Sequence, residues 1–386
     1  MTRTLISRSL LALALVGLPA VAVAQQPTQH PGSAPSGQAT PASSPVEFSG
    51  VLYPQFIYGG AKGNTRSNNQ FQLERAYLNA RAKVADRTSI RLTADVYRPG
   101  AGLGYTMRAK YAYVQYDYWM NNEGYMGTVG QARLGMQQTV IIDQEEQLFP
   151  RWIAPTAVER AGFFSSSDLG LSTTIGFGNG TGEVYVMASN GPGYTQPEVD
   201  RFKDYQARIT FNLLGNIAQP TGGFIVTPWY YKGTVASALR PAEGRKHDRV
   251  GVLAGWKSPV LTLGGQLAQS TNENERLNAG NVVTEDRSGK VLSVYTVARP
   301  FALLNANGNK TWGAVLRWDA VSGDNAYVPN AGAFPVVKGK FLVAGIVHDV
   351  NNKFSWSVDY QQQSPQGAPA APLDLRTYNV HAAVSF

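Results

Sequence analysis

From Arg75 to Val84 the chain reads RAYLNARAKV: Ala76, Leu78, Ala80, Ala82 and Val84 alternate with Arg75, Tyr77, Asn79, Arg81 and Lys83. A period of two is that of an extended strand, whose successive side chains point to opposite faces. This alternation limits the fold more than any motif does, because it recurs along the chain and because one set is apolar while the other carries charge. Ile90, Leu92, Ala94 and Val96 alternate with Arg91, Thr93, Asp95 and Tyr97. Tyr205, Ala207, Ile209, Phe211 and Leu213 do so with Gln206, Arg208, Thr210 and Asn212. Trp312, Ala314, Leu316 and Trp318 stand against Gly313, Val315, Arg317 and Asp319, and Phe354, Trp356, Val358 and Tyr360 against Ser355, Ser357, Asp359 and Gln361. No apolar stripe at helical spacing competes.

Such segments fall near 47–58, 69–84, 88–97, 107–118, 127–136, 168–178, 182–189, 202–213, 223–232, 246–257, 260–270, 290–299, 311–321, 337–349, 352–362 and 375–386, an even set of sixteen. Three places strain the pattern. Leu73 shares a parity with Arg75, Lys110 shares one with Ala112 and Val114, and Val291 to Arg299 is apolar on both faces; a bulge or a rim position accounts for such breaks. Links after even-numbered segments are short, as at Asp86-Arg87, Asn179-Gly180-Thr181, Ser258-Pro259 and Asn351-Asn352. Links after odd-numbered ones are longer and polar, such as Thr271 to Gly289 and Gln363 to Asp374. Gly215 to Gly222 and Pro300 to Lys310 break the rule at the short end. The glycine run GFGNGTG, Gly176 to Gly182, lies between two alternating segments and reads as a turn, not a phosphate loop.

A soluble sandwich also alternates, with its apolar face on a core. Here the second face holds Arg, Asp, Asn, Gln and Thr in segment after segment, while the apolar face carries Trp256, Trp312, Trp318, Trp356 and Phe386 near segment ends. Lipid accepts a sheet only if it closes, since an open edge leaves backbone donors unsatisfied in hydrocarbon. Sixteen strands close around a water-filled lumen too wide for side chains to plug. The expected fold is therefore all-β: a 16-stranded antiparallel transmembrane β-barrel with short periplasmic turns and long extracellular loops.

The start of the chain gives the address. Arg3 and Arg8 precede an apolar run from Leu10 to Ala24 that closes on Ala22-Val23-Ala24, the pattern of a cleaved secretory signal peptide over 1–24. The run is shorter than the roughly 20 residues of a membrane-spanning helix. Residues 25–46, rich in Pro, Gln and Ser, read as a flexible leader, and 47–386 as the barrel. The absence of cysteine excludes a disulfide framework. Together these place the protein in a bacterial outer membrane. In a closed barrel TYNVHAAVSF, Thr377 to Phe386, pairs with its predecessor and with the first strand; Tyr378, Val380, Ala382, Val384 and Phe386 then face lipid, and Thr377, Asn379, His381, Ala383 and Ser385 the lumen.

At these strands the residues resemble a family. LERAYLNARAKVADRTSIRLTADV, RAKYAYVQYDYW and QARLGMQQTVIIDQEE, then Val158-Glu159-Arg160, and near the end LVAGIVHDVNNKFSWSVDYQQ and TYNVHAAVSF are similar to segments of the phosphate-selective porin O and P family of Gram-negative outer membranes. The resemblance implies a homotrimer and a third loop, about Gln137 to Ser167, folded into the pore. That loop holds Asp143, Glu145, Glu146, Arg151, Glu159 and Arg160 with Phe149, Trp152 and Phe163. It also implies that a terminal Phe386 is read by the barrel assembly machinery, and that lipid and lipopolysaccharide surround the barrel.

Taken strand by strand, the lumen parity offers Arg75, Arg81, Lys83, Arg91, Arg133, Arg208, Arg249 and Arg317 against Asp95, Asp117, Asp319 and Asp359. A cationic excess in a confined channel concentrates anions, so the expected function is passive diffusion of small hydrophilic solutes, with anions preferred. The alternatives are a general pore in which these arginines only pair with loop carboxylates, and a sugar-preferring pore using Tyr97, Tyr111 and Tyr113 as a stacking track. A nonconducting adhesin-type barrel is a third. The array of lysines used by phosphate-selective members is not found, and Asp143, Glu145 and Glu146 would oppose phosphate in the constriction. His30, His247, His348 and His381 are scattered, with no metal spacing and no nucleophile motif; no cofactor and no enzyme activity are expected, although an esterase built from rim Ser, His and Asp is the enzyme alternative. Arginines spread over a channel wall argue against nucleic acid as a partner.

Overall fold

The computed structural model describes residues 46–61, 68–99, 104–119, 130–215, 217, 221–240, 242–278, 280–305, 308–323, 338–365 and 374–386. Apart from Val46, the expected signal peptide and leader lie outside them.

The first strands are β1 Glu47–Ala61, β2 Asn68–Ala85, β3 Thr88–Tyr97, β4 Thr106–Trp119 and β5 Gly130–Gln138. After a long connection come β6 Ser167–Phe177, β7 Gly182–Ser189, β8 Asp204–Asn212 and β9 Gly223–Lys232. The wall continues as β10 Gly244–Lys257, β11 Leu261–Asn278, β12 Asn281–Ala298 and β13 Trp312–Gly323. It ends with β14 Gly339–Asp349, β15 Phe354–Pro365 and β16 Leu375–Ser385. Each strand pairs antiparallel with the next, and β16 pairs with β1 from Val51↔Ser385 to Ala61↔Leu375, so the sheet closes as sixteen strands. Thr234–Ala236 pairs with β10 alone and is a short ribbon within a connection, not part of the wall.

Side chains sort as the alternation predicts. Leu92, Leu134, Leu171, Leu316 and Val380 are exposed on the outer surface, whereas Thr93, Asp95, Arg208, Arg317, Thr377, Asn379 and His381 are buried on the inner one. The parity breaks at Leu73 and Lys110 are bulges, whereas Val291 to Ala298 runs in register and its inner face is apolar because the loop covers it. Tyr53 pairs with Arg75 but Pro54 with Leu73, so Glu74 is the extra residue and Leu73 joins the outer set. Thr93 pairs with Tyr111 but Ala94 with Ala109, so Lys110 is extra and turns inward beside Tyr111. Each insertion shifts the register by one and flips the face of every side chain beyond it on that strand.

Two connections differ from expectation. The stretch Thr271 to Gly289 is not an open loop: β11 and β12 stay paired out to Asn278↔Asn281. Its polar side chains on both faces concealed the strand period, because neither face of that hairpin meets an apolar layer. At the other end, the long link after β12 contains a short helix, Pro300–Leu304, started by a proline in its first turn. The link 120–129 lies outside the described residues, and Gly178–Gly180 forms the turn expected of the glycine run.

The closing seam sets a packing constraint. Phe386 N–H donates to the Gly50 carbonyl at 3.1 Å and Gly50 N–H to the Phe386 carbonyl at 3.0 Å. A Cβ on Gly50 would lie 2.2 Å from the Phe386 ring. Gly50→Leu is expected to cost about 1–3 kcal/mol and to lower the temperature at which the heat-resistant barrel form disappears in electrophoresis. Gly104→Ala, where a Cβ meets nothing within 4 Å, should leave it unchanged.

Candidate functional site

The connection between β5 and β6, residues 139–166, lies inside the barrel. It is built from apolar residues and two short helices, Ile142–Glu146 and Ala157–Arg160, the second held by a capping box in which Thr156 and Glu159 satisfy each other's backbone. Val140, Ile141, Ile142, Phe149, Val158 and Phe163 are buried, and so are the inward-facing Ile225, Trp229, Leu253, Val315 and Val343 of β9, β10, β13 and β14. The loop packs on these apolar wall positions, which makes the two a core within the barrel. Phe164 stacks on Tyr231 at 5.2 Å, Phe149 meets Tyr295 at 5.4 Å, and the missing side chain of Gly255 leaves room for Leu148. Burying each such side chain stabilises by roughly 1.5–3 kcal/mol.

Wall cations then tie the loop down. Arg208 donates to Asp143 at 2.9 Å, to the Val140 carbonyl at 2.6 Å and to Glu183 at 2.8 Å. Arg317 donates to the Pro155 carbonyl at 2.8 Å and to Asp319 at 2.9 Å, and stands 3.8 Å from Glu145. Arg249 reaches the Phe163 carbonyl at 3.1 Å and Asn272 at 2.8 Å, and Lys257 the Gln147 carbonyl at 2.7 Å. From the loop side, Arg151 binds Glu146 at 2.8 Å and Glu159 at 2.5 Å, and Arg160 lies 3.3 Å from Asp319 and over the Phe341 ring. Of the wall cations assigned to the pore from sequence, Arg208, Arg249 and Arg317 are thus loop anchors buried beneath it. The loop acids Asp143, Glu145, Glu146 and Glu159 each have an arginine beside them, which removes the premise that they stand free against an anion.

Two loop carboxyls respond to this burial in opposite ways. Burial pushes Glu145 up from 4.5 to about 7, against the pull of Arg317 and of the Ala157 N–H that it accepts at 2.7 Å. Burial also works against the charge on Glu159, but the Arg151 guanidinium outweighs it and holds the carboxyl at about 2. A carboxyl raised by docking contributes fully below 4.5 and loses that contribution as pH rises through 7. One depressed by docking contributes above 4.5 and loses it as pH falls towards 2. Loop docking should therefore tighten from pH 7 to 4.5 and loosen below, read as open-channel current noise; Glu145→Gln should flatten the upper limb alone.

On the wall of β2 to β5 the accessible inner cations lie nearer the short turns, where Arg81 is exposed and Arg91 and Arg133 are half-buried. Near its long-connection end Asp95 is buried between Arg75 at 2.8 Å and Arg108 at 3.1 Å, and Arg108 lies between the rings of Tyr97, at 3.5 Å, and Tyr194, at 4.2 Å. Lys110 donates to the Tyr77 hydroxyl at 3.0 Å. Nearer the short turns, Arg81 faces Arg91 across the β2–β3 ladder, and Arg133 sits on β5. Arg91 bonds Asn79 and Thr93 and lies over Tyr111 at 4.5 Å; Arg133 bonds Gln115 and lies over Tyr113 at 5.1 Å. Among the described residues, none of Arg81, Arg91 and Arg133 has a carboxylate within ion-pair distance, while Lys83 stands 3.8 Å from Asp86 in the turn. The rings of Tyr97, Tyr111 and Tyr113 are capped by guanidiniums and do not form a bare stacking track. Arg108, Lys110 and Tyr194 were not foreseen; the signal for the first two was the parity break at Lys110, which marks a bulge that brings neighbouring side chains inward.

The sequence matches no protein-family model and no curated protein. Among solved structures the chain is similar to Salmonella typhi OmpF in complex with daunomycin, at 10% identity and TM-score 0.60, with 89% of this chain and 98% of that one covered. It is similar to the outer membrane channel DcaP of Acinetobacter baumannii, at 14% identity and TM-score 0.59, covering 91% and 99%. The anion-selective porin from Comamonas acidovorans aligns at 11% identity and TM-score 0.56, covering 89% and 100%. At these identities the likeness establishes the fold: the closed sixteen-stranded barrel of outer-membrane porins.

Proposed function

We propose that this chain is an outer-membrane porin through which small hydrophilic solutes diffuse passively, with small anions preferred. The observation that carries the reading is the set of three lumenal guanidiniums, Arg81, Arg91 and Arg133, with no carboxylate within ion-pair distance among the described residues, beside a loop whose acids are already paired. Charge fixed on the wall of a narrow aqueous path raises the local concentration of opposite ions. Tyrosine rings beneath Arg91 and Arg133 hold those groups against the wall. The fold shared with a porin described as anion-selective supports the same reading. The sugar-preferring alternative is less favoured, because the rings it needs are covered.

The strand motifs that resemble the phosphate-selective porin O and P family, export by a signal peptide over 1–24, a homotrimer, surrounding lipid and lipopolysaccharide, and insertion by the barrel assembly machinery through Phe386 belong to this reading. Purified protein reconstituted into liposomes should admit small organic anions faster than neutral sugars of equal size in a swelling assay. Equal rates would leave a general pore, and no swelling at all would favour a nonconducting barrel.

A further inference from the structure

The connection 190–203, between β7 and β8 at the long-connection end, is tied down on both sides. At its start Asn190 N–H donates to the Leu169 carbonyl at 3.0 Å, Gly191 N–H to the Asp168 carboxylate at 2.6 Å and Tyr194 N–H to the Ser167 carbonyl at 3.0 Å. Gly191 and Gly193 have φ of +109° and +77°, a backbone that side chains rarely adopt, and a Cβ on Gly193 would lie 2.3 Å from that of Ser165. The segment therefore rests on the end of the inner loop 139–166. At its finish Asp200 accepts from the Ala236 N–H at 2.8 Å and Arg201 donates to the Ala242 carbonyl at 2.6 Å, both in the connection after β9. Asp204, first in β8, accepts from the Thr234 N–H at 2.8 Å and from the Tyr231 hydroxyl.

Between these anchors the backbone bonds are local: Gln196 N–H to the Gly193 carbonyl, and the N–H groups of Val199 and Asp200 to the Glu198 carboxylate. Tyr194 instead crosses to the wall of β3 and β4. Its hydroxyl accepts from Arg108 at 2.9 Å and lies 3.4 Å from Asp95, and its ring and that of Tyr97 enclose the Arg108 guanidinium. A cation between two rings is attracted to both. Because Tyr194 follows β7 while Arg108 is on β4, the contact draws a chord of chain over the inner side of β5 and β6. Beneath it Asp95 is fully buried and the Arg108 side chain is 14% exposed.

We infer that segment 190–203 is a second constriction, a strap across the mouth at the long-connection end that Tyr194 latches to Arg108, and that Tyr194 helps to set the size of solute admitted. The inference rests on the porin reading and deepens it. Strap and inner loop stand in series along the path, the first seated on the end of the second at Ser165 and Ser167, so a solute passes the strap before it meets the loop. The Tyr194 ring is neutral and narrows the opening by bulk, and pore diameter is one of the quantities that decide which solutes pass. Without the latch, the stretch between Tyr194 and Asp200 loses its hold on the β3–β4 wall and swings on its two anchored ends.

The chain has no cysteine, so nitroxide labels go only where cysteines are introduced. Labels at Gln196→Cys, two residues past the latch, and Met107→Cys, exposed on the outside of β4, give the strap-to-wall distance by pulsed electron paramagnetic resonance on the full-length protein in detergent. With Tyr194 in place the pair should show one narrow distance distribution. Y194A should broaden it and move it to longer distances, and R108Q, which removes the latch from the wall side, should do the same. Y194F keeps the ring on Arg108 and should stay narrow. In liposomes the ratio of trisaccharide to monosaccharide swelling rates should rise severalfold in Y194A and hold its wild-type value in Y194F, with the heat-resistant barrel form kept in both. A Y194A distribution as narrow as that of wild type would overturn the latch, and an unchanged swelling ratio would overturn the constriction. A wild-type barrel that admits no solute would sink the porin reading instead, and the distance measurement, which needs no conduction, would still decide the latch.

Discussion

Replacing Arg317 by methionine is expected to raise single-channel conductance and make the open current noisy. Arg317 is buried on β13 and serves three partners at once: the Pro155 carbonyl, Asp319 and, at 3.8 Å, Glu145. Methionine keeps much of the volume over Phe149 but leaves Glu145 and the Pro155 carbonyl without their cation. Removing one partner of a buried ionic cluster costs on the order of 3–5 kcal/mol, because the remaining charge stays desolvated. The loop's apolar underside persists, so the loop should loosen about its two ends, where Thr139 N–H still donates to the Ser166 carbonyl, without leaving the lumen. Arg160 stays on Asp319, which should spare the strand itself. An unchanged conductance with an unchanged noise level would contradict the assignment of Arg317 as an anchor.

The second large effect concerns selectivity. The R81Q/R91Q/R133Q variant should lose about tenfold in the ratio of anion to cation permeability, the scale on which fixed charge in a confined path changes local ion concentration. None of these three guanidiniums has a carboxylate within ion-pair distance among the described residues, the closest counter-charge by register being Glu47 opposite Arg81, so their removal takes positive charge from the lumen. Arg208→Gln is the informative contrast. That side chain is already matched by Asp143 and Glu183, so its loss should weaken loop docking and shift noise, and its effect on selectivity should run towards cations only through the acids it releases. If the triple variant kept the wild-type permeability ratio, the charge that sets preference would have to lie elsewhere.

The outer half of the barrel was legible in the sequence. Wherever one face meets an apolar layer and the other water, the period of two is clean, which is why the strand count, the closing of TYNVHAAVSF against β1 and the outward position of Tyr378 and Val380 could be read directly. The bulges at Glu74 and Lys110 were also visible, as residues whose parity refused to fit. The same physics hid the rest. Alternation tells the two faces of a strand apart but not what covers them. Val291, Tyr295 and Val297 on the inner face of β12 made that strand look apolar on both sides because the loop lies over it. The hairpin from Thr271 to Gly289 gave no alternation because neither face is buried in an apolar medium. The candidate site suffered most: Arg208, Arg249 and Arg317 point inward, as parity required, but parity carries no information on the carbonyls and carboxylates of residues 139–166 that occupy them.

The most direct check on the central claim is the zero-current potential of the wild-type channel across a KCl gradient in a planar bilayer. With Arg81, Arg91 and Arg133 free of close ion pairs among the described residues and the loop acids paired, the potential should move towards the chloride equilibrium value, and more so at low ionic strength where screening is weak. A potential displaced towards the potassium value would contradict the account.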